Sequence, residues 1–249
     1  MMANPDRSSP VALITGAAHR IGAVIARTLH AAGYDLALHY RSSRDEIDTL
    51  VSELESRRTD STLILQADLA DADRLPELID VTTTRFGRLD ALINNASMFH
   101  PTPVGSITAE QCDALFAANA RAPLLLAQAA APHLKASQGC VVNVTDIYAE
   151  RPLRQHPAYC MSKAALRMAT LALAQDLGPA VRVNAVAPGA ILWPEGKGEA
   201  DRAGVLARTP LARTGTPEEI AGTVLWLIRD ATYVTGQTVR VDGGRLLIT

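Results

Sequence analysis

The stretch 11–22 constrains the fold of this chain more than any other. Its apolar run 11–14 has the length of a buried strand, and Gly16 follows after a single threonine. From Ile21 onward, apolar residues recur at helical spacing. A strand, a glycine turn and a helix place backbone N–H groups and a helix N-terminus against a phosphate, and Gly16 and Gly22 permit the tight turn and close packing. The same stretch is also compatible with an ordinary strand–helix turn.

Strand-like and helix-like segments alternate along the rest of the chain. The pattern predicts strands at 10–15, 35–40, 62–66, 90–94, 139–145, 181–186 and 237–241. It predicts helices at 20–32, 44–57, 72–86, 108–134, 157–177 and 217–229. Such alternation implies right-handed crossovers between parallel strands, with helices on both faces of the sheet. The predicted fold class is α/β, a single doubly wound Rossmann domain with a seven-stranded, mainly parallel sheet.

No repeat or linker divides the chain, so we expect one domain over 10–249, preceded by a polar, disordered tail at 1–9. One helix start is clear, because Thr216 offers an N-cap and Glu219 completes a capping box. The segment 190–209 combines glycines and charged residues without clear periodicity, and we predict that it forms a lid over a substrate. A plain surface loop is the alternative.

The composition excludes several classes of function. The 249 residues are 48% hydrophobic and 20% charged, which is typical of a globular protein with an ample core. A net charge of −2 does not favour binding to the negatively charged backbone of a nucleic acid. No apolar run approaches the roughly 20 residues that span a bilayer. Cys112, Cys140 and Cys160 lack the spacing of a disulfide framework or a zinc site. We therefore expect a cytoplasmic protein that binds no metal, membrane or nucleic acid.

The end of the second strand indicates which cofactor would bind. In dinucleotide-binding folds a carboxylate at this point binds the ribose 2′-hydroxyl, but this chain has Arg41 and Ser42 there and no acid. These two residues, with Arg44 and the loop residue Arg20, would instead bind a 2′-phosphate through charge-assisted hydrogen bonds. Surface arginines are common, which is the alternative explanation. We predict NADPH/NADP+ rather than NAD(H).

Polar residues also follow the third and fourth strands, at the edge where a ligand would bind. Asp68 comes after the third strand, and Asn94 and Asn95 end the fourth. Each has a structural explanation as well, since Asp68 suits a cap or turn and asparagines favour turns. The sequence leaves both explanations open.

The strongest catalytic candidates are Tyr159 and Lys163. They lie in a predicted helix at i, i+4 spacing, so their side chains share one helix face. A phenol with a pKa of about 10 is a poor acid–base group at neutral pH, and a nearby ammonium lowers that pKa. This spacing alone is a weak motif. It becomes specific together with the glycine loop upstream and with Asp146, which follows the fifth strand.

Over essentially its full length, the sequence resembles the short-chain dehydrogenase/reductase family. The matching residues are Thr15-Gly16 with Gly22, Asp68, Asn94-Asn95-Ala96, Asn119, Tyr159 with Lys163, and Pro188-Gly189. The resemblance implies that Lys163 holds the nicotinamide ribose and tunes Tyr159, that Asn119 supports a proton-relay water, and that the protein is a homotetramer. It implies a cofactor site formed by Gly16, Arg20, Ile21, Gly22, His39, Tyr40, Arg41, Ser42, Asp68, Leu69, Asn95, Ala96, Ser97, Tyr159, Lys163, Pro188 and Gly189.

Two departures from the usual family pattern make the resemblance more specific. Arg20 occupies the position of a second loop glycine, and Asp146 occupies that of the catalytic serine. Both departures resemble the pteridine reductases, including the bacterial dihydromonapterin reductase type. By this resemblance Phe99 stacks on the flat pterin against the nicotinamide, and Arg20 and Ser97 contact both cofactor and substrate. The implied substrate site consists of Arg20, Ser97, Phe99, Asp146 and Tyr159.

The predicted function is therefore NADPH-dependent reduction of a dihydropterin (dihydrobiopterin or dihydromonapterin) or of dihydrofolate to the tetrahydro form. Reducing a ring C=N delivers hydride to carbon and a proton to nitrogen. Our hypothesis is that Tyr159 supplies the proton, while Asp146 hydrogen-bonds the relay or serves as a second acid. One alternative is a carbonyl or 3-oxoacyl reductase of the same family. Another is a catalytically silent regulator that binds NADP(H).

Overall fold

A computed structural model describes residues 9–192 and 199–248, which are built around one sheet. Its strands are β1 Val11–Ile14, β2 Asp35–Tyr40, β3 Thr62–Gln66, β4 Ala91–Asn94, β5 Cys140–Val144, β6 Arg182–Pro188 and β7 Thr238–Val241. They pair in the order β3-β2-β1-β4-β5-β6-β7, and every pair is parallel. The strand order reverses between β1 and β4, so a doubly wound sheet of this kind binds ligands at the carboxyl ends of these strands.

Eight α-helices occur in the described part of the chain. They are α1 Arg20–Ala31, α2 Arg44–Arg57, α3 Leu75–Phe86, α4 Ala109–Phe116, α5 Ala122–Ser137, α6 Pro157–Leu177, α7 Glu199–Leu206 and α8 Pro217–Arg229. Short 3-10 turns lie at Ala72–Arg74, Ile147–Ala149 and Arg245–Leu247. Over residues 9–192 and 199–248, no helix combines the length and apolar character that crossing a membrane requires.

Helices cover both faces of the sheet, which explains why its central strands are buried along their whole length. One core contains Leu29 of α1 and Val224 of α8. The other contains Ile79 of α3 and Leu126 of α5. The edge strands β3 and β7 are only partly buried. The covered central strands fix the ends of β1, β4 and β5 relative to one another, and these ends carry the candidate site.

The predicted α/β fold is confirmed, and the sheet is wholly parallel. The capping box at the start of α8 is confirmed as well. Thr216 Oγ1 accepts a hydrogen bond from the backbone N–H of Glu219 at 3.2 Å, and Glu219 Oε2 accepts one from the backbone N–H of Thr216 at 2.8 Å.

Two helical segments differ from prediction. The single helix predicted over 108–134 is divided into α4, a π-helical turn at Ala117–Arg121 and α5. The wider turn interrupts the regular periodicity within one apolar segment, so the sequence pattern does not reveal it. The sequence also did not predict α7, which lies inside the predicted lid segment 190–209. Residues 193–198 of that segment lie outside the described residues, and the lid remains a prediction.

Candidate active site

The glycine loop between β1 and α1 is held against the end of β4. Gly16 has a φ of +64°, which favours glycine, and a Cβ there would lie 2.9 Å from Cα of Ala96. Asn95 Nδ2 donates to the carbonyl oxygens of Thr15 and Gly16, both at 2.9 Å. At Gly22 a Cβ would overlap the carbonyl of Gly16 and lie 2.7 Å from Asn95 Nδ2. Each glycine therefore permits a close backbone approach.

The start of α1 suits an anionic group. Within the described residues, the N-cap His19 makes no side-chain hydrogen bond to the helix, and the first turn contains no acidic residue. The first N–H groups of a helix lack partners inside it and carry a partial positive charge. Together with the tight loop around Gly16, these N–H groups fit the phosphates of a dinucleotide.

Arg20, the first residue of α1, has an exposed side chain and a φ of +54°. This left-handed conformation costs a non-glycine residue roughly 1–2 kcal/mol. It also explains why glycine is usual at this position in the resembled family. Strained residues of this kind concentrate at functional sites, and this one lies beside the predicted phosphate site. Ile21, the next residue, is partly buried.

The residues at the end of β2 have different environments. The side chains of His39 and Tyr40 are each only 2% exposed, whereas Arg41 and Ser42 are exposed at the carboxyl end of the strand. Arg44 Nε donates to Asp48 Oδ2 at 2.7 Å, and its Nη1 donates to Tyr40 Oη at 3.3 Å. Arg44 is thus held by Asp48 of its own helix and by Tyr40 of β2, and Arg41 is the arginine presented at the strand end.

The polar residues after β3 and β4 have mainly structural contacts. Asp68 is exposed and its Oδ1 accepts a hydrogen bond from the backbone N–H of Ala70 at 2.9 Å, which stabilises a turn, while Leu69 is buried. Ala96 packs on the glycine loop. At the end of β6, Pro188 is buried, and a Cβ at Gly189 would lie 2.7 Å from Cα of Asp242.

The catalytic candidates converge at the end of β5. Asp146 follows this strand and its Oδ1 accepts a hydrogen bond from the backbone N–H of Tyr148 at 2.9 Å. Tyr159, in the first turn of α6, donates from its hydroxyl to Asp146 Oδ2 at 2.6 Å. Lys163, one turn further along and 1% exposed, donates from Nζ to the carbonyl of Val144 at 2.9 Å. The structure therefore brings the predicted Asp146, Tyr159 and Lys163 together.

The electrostatics of this group differ from the expectation based on spacing alone. Burial and the negative charge of Asp146 raise the pKa of Tyr159 well above 10. Burial raises the pKa of Asp146, although the hydrogen bond from Tyr159 opposes that effect. Burial lowers the pKa of Lys163 to about 8, against the opposing charge of Asp146. The expected lowering of the Tyr159 pKa does not occur in this state, because burial and the carboxylate of Asp146 both disfavour the phenolate. The phenol is therefore protonated at neutral pH and can act as a proton donor.

Asn119 lies in the π-helical turn and is fully buried. Its side chain pairs with the backbone of Met98, accepting from N at 2.8 Å and donating to O at 2.9 Å. It also donates to Ser162 Oγ at 3.0 Å and accepts from Ser97 Oγ at 3.2 Å. The asparagine side chain thus connects the loop after β4 to the helix α6, which carries Tyr159 and Lys163. The proton-relay water that the family resemblance implies remains a prediction.

An aromatic surface lies over Tyr159. Phe99 is 49% exposed, and its ring lies edge-on to Tyr159 with centroids 4.8 Å apart. His156 stacks on Phe99 with centroids 4.7 Å apart and planes 15° from parallel. An exposed aromatic ring beside a proton donor provides a wall for a flat, polarisable substrate. Ser97 is exposed in the same loop, two residues before Phe99.

Sequence reasoning missed several residues that organise the site. Thr15 Oγ1 accepts hydrogen bonds from the backbone N–H groups of Asn95 and Ala96, both at 3.0 Å. Ser162 contacts Asn119, and His156 stacks on Phe99. Ser162 lies three residues after Tyr159 and His156 lies three residues before it. This helical spacing was the sequence signal that could have identified both residues.

Comparison with known proteins gives consistent matches over the whole domain. The family model described as enoyl-(acyl carrier protein) reductase matches residues 16–245. Pteridine reductase 1 of Leishmania tarentolae is 33% identical, with 95% of this chain and 96% of the relative aligned.

Ketoacyl reductases are similar to the same degree. The granaticin polyketide synthase putative ketoacyl reductase 2 of Streptomyces violaceoruber is 36% identical, over 99% of this chain and 100% of the relative. A 3-oxoacyl-(acyl-carrier-protein) reductase of Synechocystis sp. is 34% identical, over 96% and 98%. Overall identity therefore does not discriminate between these two kinds of relative.

Proposed function

This chain belongs to the short-chain dehydrogenase/reductase family, and we propose that it is an NADPH-dependent pteridine reductase that converts a dihydropterin to the tetrahydropterin. The family relationship makes it an oxidoreductase with a nicotinamide cofactor. The glycine loop and the uncapped start of α1 fit the phosphates of such a cofactor. The preference for NADPH rests on Arg41 and Ser42, which replace an acid at the end of β2.

The observation that carries the pterin assignment is the hydrogen bond from Tyr159 to Asp146. A serine is usual at the second position in the resembled family, and it suits a carbonyl oxygen because it donates a hydrogen bond. Reduction of either group consumes one proton, which goes to oxygen in a carbonyl and to nitrogen in a ring C=N, so a different residue at this position indicates a different accepting atom. Asp146 places a buried carboxyl group, whose pKa burial raises, beside the phenol that would donate this proton.

Each residue of the site would have a separate role in the reaction. When bound, NADPH supplies the hydride. Tyr159 would donate its hydroxyl proton to the ring nitrogen, and the phenolate left behind would regain a proton from solvent. Asp146 accepts a hydrogen bond from the phenol and positions it before the transfer. Lys163 holds positive charge behind the phenol and offsets the negative charge left on it. Phe99 orients the flat pterin by stacking.

The ketoacyl relatives give a second candidate, a 3-oxoacyl or other carbonyl reductase. These relatives are about as similar to this chain as the pteridine reductase is, whereas Asp146 and Phe99 distinguish this site. A silent NADP(H)-binding regulator is a third candidate. The contacts of Tyr159 and Lys163 argue against it, since both form a group suited to proton transfer.

Oxidation of NADPH, followed with purified protein, tests the proposal. The substrates are dihydrobiopterin, dihydromonapterin, dihydrofolate and an acetoacetyl thioester. Turnover of the pterins without the thioester supports the proposal and ranks the ring substituents. Thioester turnover without pterin turnover would instead identify a carbonyl reductase. Cofactor binding without any turnover would favour the regulator.

Two variants then test the residues behind the assignment. In Asp146→Ser, pterin turnover is expected to fall at least about tenfold, because the carboxyl group that accepts the hydrogen bond from the phenol and positions it is lost. In Phe99→Ala, the KM for the pterin is expected to rise about tenfold with little change in NADPH binding. Full pterin turnover in Asp146→Ser would remove any special role for that carboxylate.

We also propose that the protein assembles as a homotetramer. Support comes from large apolar side chains exposed on α5 and α6, namely Leu124 at 43%, Met161 at 59% and Met168 at 60%. Such side chains on neighbouring helices favour contact with another copy of the chain. Sedimentation equilibrium of the purified protein measures the assembly directly.

A further inference from the structure

His39 lies beneath the glycine loop rather than on the surface that would face a cofactor. It is 2% exposed. Its Nδ1 accepts a hydrogen bond from the backbone N–H of Gly16 at 3.2 Å, and its Nε2 lies 3.1 Å from the carbonyl oxygen of Ala67. The carbonyl oxygen of His39 accepts a further bond from the backbone N–H of Ala17 at 2.8 Å. One residue of β2 thus contacts the segments that follow both β1 and β3.

These contacts define the protonation state of the imidazole. Because Nδ1 accepts a hydrogen bond from an N–H group, it carries no proton, and Nε2 carries the proton that is donated to Ala67. Burial lowers the pKa of His39, while the charge of Asp68, in the turn after β3, opposes that effect. The ring is therefore neutral at neutral pH. Its Nδ1 accepts the hydrogen bond from Gly16, and its Nε2 donates the one to Ala67.

The two bonds act on the part of the fold where a dinucleotide would lie. Gly16 begins the loop that leads to the start of α1, and its φ of +64° is held from one side by Asn95 and from the other by His39. Ala67 directly precedes Asp68 and Leu69, which follow β3 at the same edge of the sheet. The imidazole therefore fixes the spacing between the two segments that flank the end of β2.

We propose that His39 is a positioning residue for cofactor binding, in which the neutral imidazole holds the glycine loop and the end of β3 at the spacing that an adenine dinucleotide requires. The bond from Gly16 to Nδ1 is the more important of the two, because Gly16 belongs to the phosphate-binding loop. This inference rests on the proposed nicotinamide cofactor, and it does not depend on which substrate is reduced.

Three substitutions of His39 test its hydrogen bonds to Gly16 and to Ala67 separately. His39→Asn places an amide oxygen near the position of Nδ1 and can still accept from Gly16. His39→Gln places an amide nitrogen near the position of Nε2 and can still donate to Ala67. His39→Leu removes both bonds. His30 provides a matched control, because it is also buried, at 4% exposure, and contacts Ser61 Oγ through Nε2 at 2.8 Å.

The measurements are the Kd of NADPH from fluorescence titration, the kcat at saturating NADPH and the thermal unfolding temperature without cofactor. We expect His39→Leu and His39→Gln to raise the Kd about tenfold, since a buried N–H group loses its partner. We expect His39→Asn to stay within about threefold of the wild type. The kcat at saturating NADPH should change less than the Kd does in all three variants, because none of them removes a group assigned to proton transfer. His30→Gln should lower the unfolding temperature without changing the Kd.

Several results would overturn the inference. They are wild-type affinity in His39→Leu, equal loss of affinity in His39→Asn and His39→Leu, and a loss of affinity in His30→Gln that parallels its loss of stability. The titration needs no substrate, so a wild-type protein that binds NADPH but fails to reduce pterins would contradict the proposed function and leave the test of His39 intact. If the wild-type protein binds NADH in place of NADPH, the same titrations are made with NADH, and the same results support or overturn the role of His39.

Discussion

The hydroxyl of Tyr159 donates a hydrogen bond to Asp146 Oδ2 at 2.6 Å, so the phenol and the carboxylate form one unit. Burial and this neighbouring carboxylate together explain why the pKa of Tyr159 rises rather than falls, since removing a proton from the buried phenol would place two negative charges side by side. A protonated phenol is the form that a reduction consumes. The carboxylate therefore keeps the phenol protonated before a reaction, and a positive charge such as that of Lys163 would have to stabilise the phenolate when the proton leaves.

The first prediction concerns this unit. Tyr159→Phe is expected to lower kcat by roughly 100-fold or more, because the donor is lost, while the Kd of NADPH changes little. Tyr34→Phe is the control, since Tyr34 is buried before β2, at the opposite edge of the sheet. Steady-state kinetics with the best pterin substrate measure the effect. Unchanged turnover in Tyr159→Phe would show that another group supplies the proton.

The second prediction concerns the pH dependence of stability. Lys163 is 1% exposed and its pKa is lowered to about 8. Between pH 8 and about 10.5, its ordinary pKa, the unfolded chain holds a proton on this lysine that the folded chain has released, so the contribution of Lys163 to stability rises with pH. Buried Cys140 opposes this rise above pH 9, because burial raises the pKa of its thiol to about 11. The full effect of Lys163 corresponds to roughly 3 kcal/mol. Below pH 8 both states are charged, and this rise is absent.

Urea unfolding at a series of pH values, without cofactor, measures this slope. Lys163→Met is expected to lack most of the rise above pH 8. Lys135→Met, at an exposed position on α5, is expected to keep it. If the unfolding free energy changes equally with pH in Lys163→Met and the wild type, the buried ammonium of Lys163 is not the cause of the rise.

The third prediction concerns cofactor choice. Arg41 is exposed at the end of β2, whereas Arg44 is held by Asp48 and Tyr40. Arg41→Ala is expected to raise the KM for NADPH about 10- to 100-fold and to leave the KM for NADH nearly unchanged, because a charge-assisted bond to the 2′-phosphate is lost. Arg44→Ala should have the smaller effect. An equal change for both cofactors in Arg41→Ala would exclude recognition of the 2′-phosphate by this residue.

The fourth prediction concerns the glycine loop. In Gly22→Ala the new methyl group would overlap the carbonyl of Gly16 and approach Asn95 Nδ2. We expect a loss of at least about 2 kcal/mol in unfolding free energy, with loss of cofactor binding. The control is Gly222→Ala in α8, because no described atom lies within 4 Å of a Cβ placed there. This control is expected to be neutral or stabilising by up to about 1 kcal/mol, and a similar loss in both variants would show that crowding at Gly22 is not the cause.

Most of the fold was predictable because its causes are local. The apolar run of β1, the glycines that follow it and the helical spacing from Ile21 onward lie within a few residues of one another. The Thr216 capping box is likewise contained in four residues. The helix α7 and the division of 108–134 by a π-helical turn were not predictable, because neither has a clear local pattern.

For the candidate site, the sequence by itself determined which chemical groups are present: a glycine loop, arginines at the end of β2, and Tyr159 with Lys163 on one helix face. Only the tertiary structure decided how they interact. It brought Asp146 to Tyr159 across 13 residues of sequence and His39 beneath Gly16 across 23. The direction of each pKa shift followed from these approaches and from burial, which depend on how strands and helices pack. Periodicity and spacing describe neighbours along one element, whereas the electrostatics of a site depend on neighbours that different elements bring together.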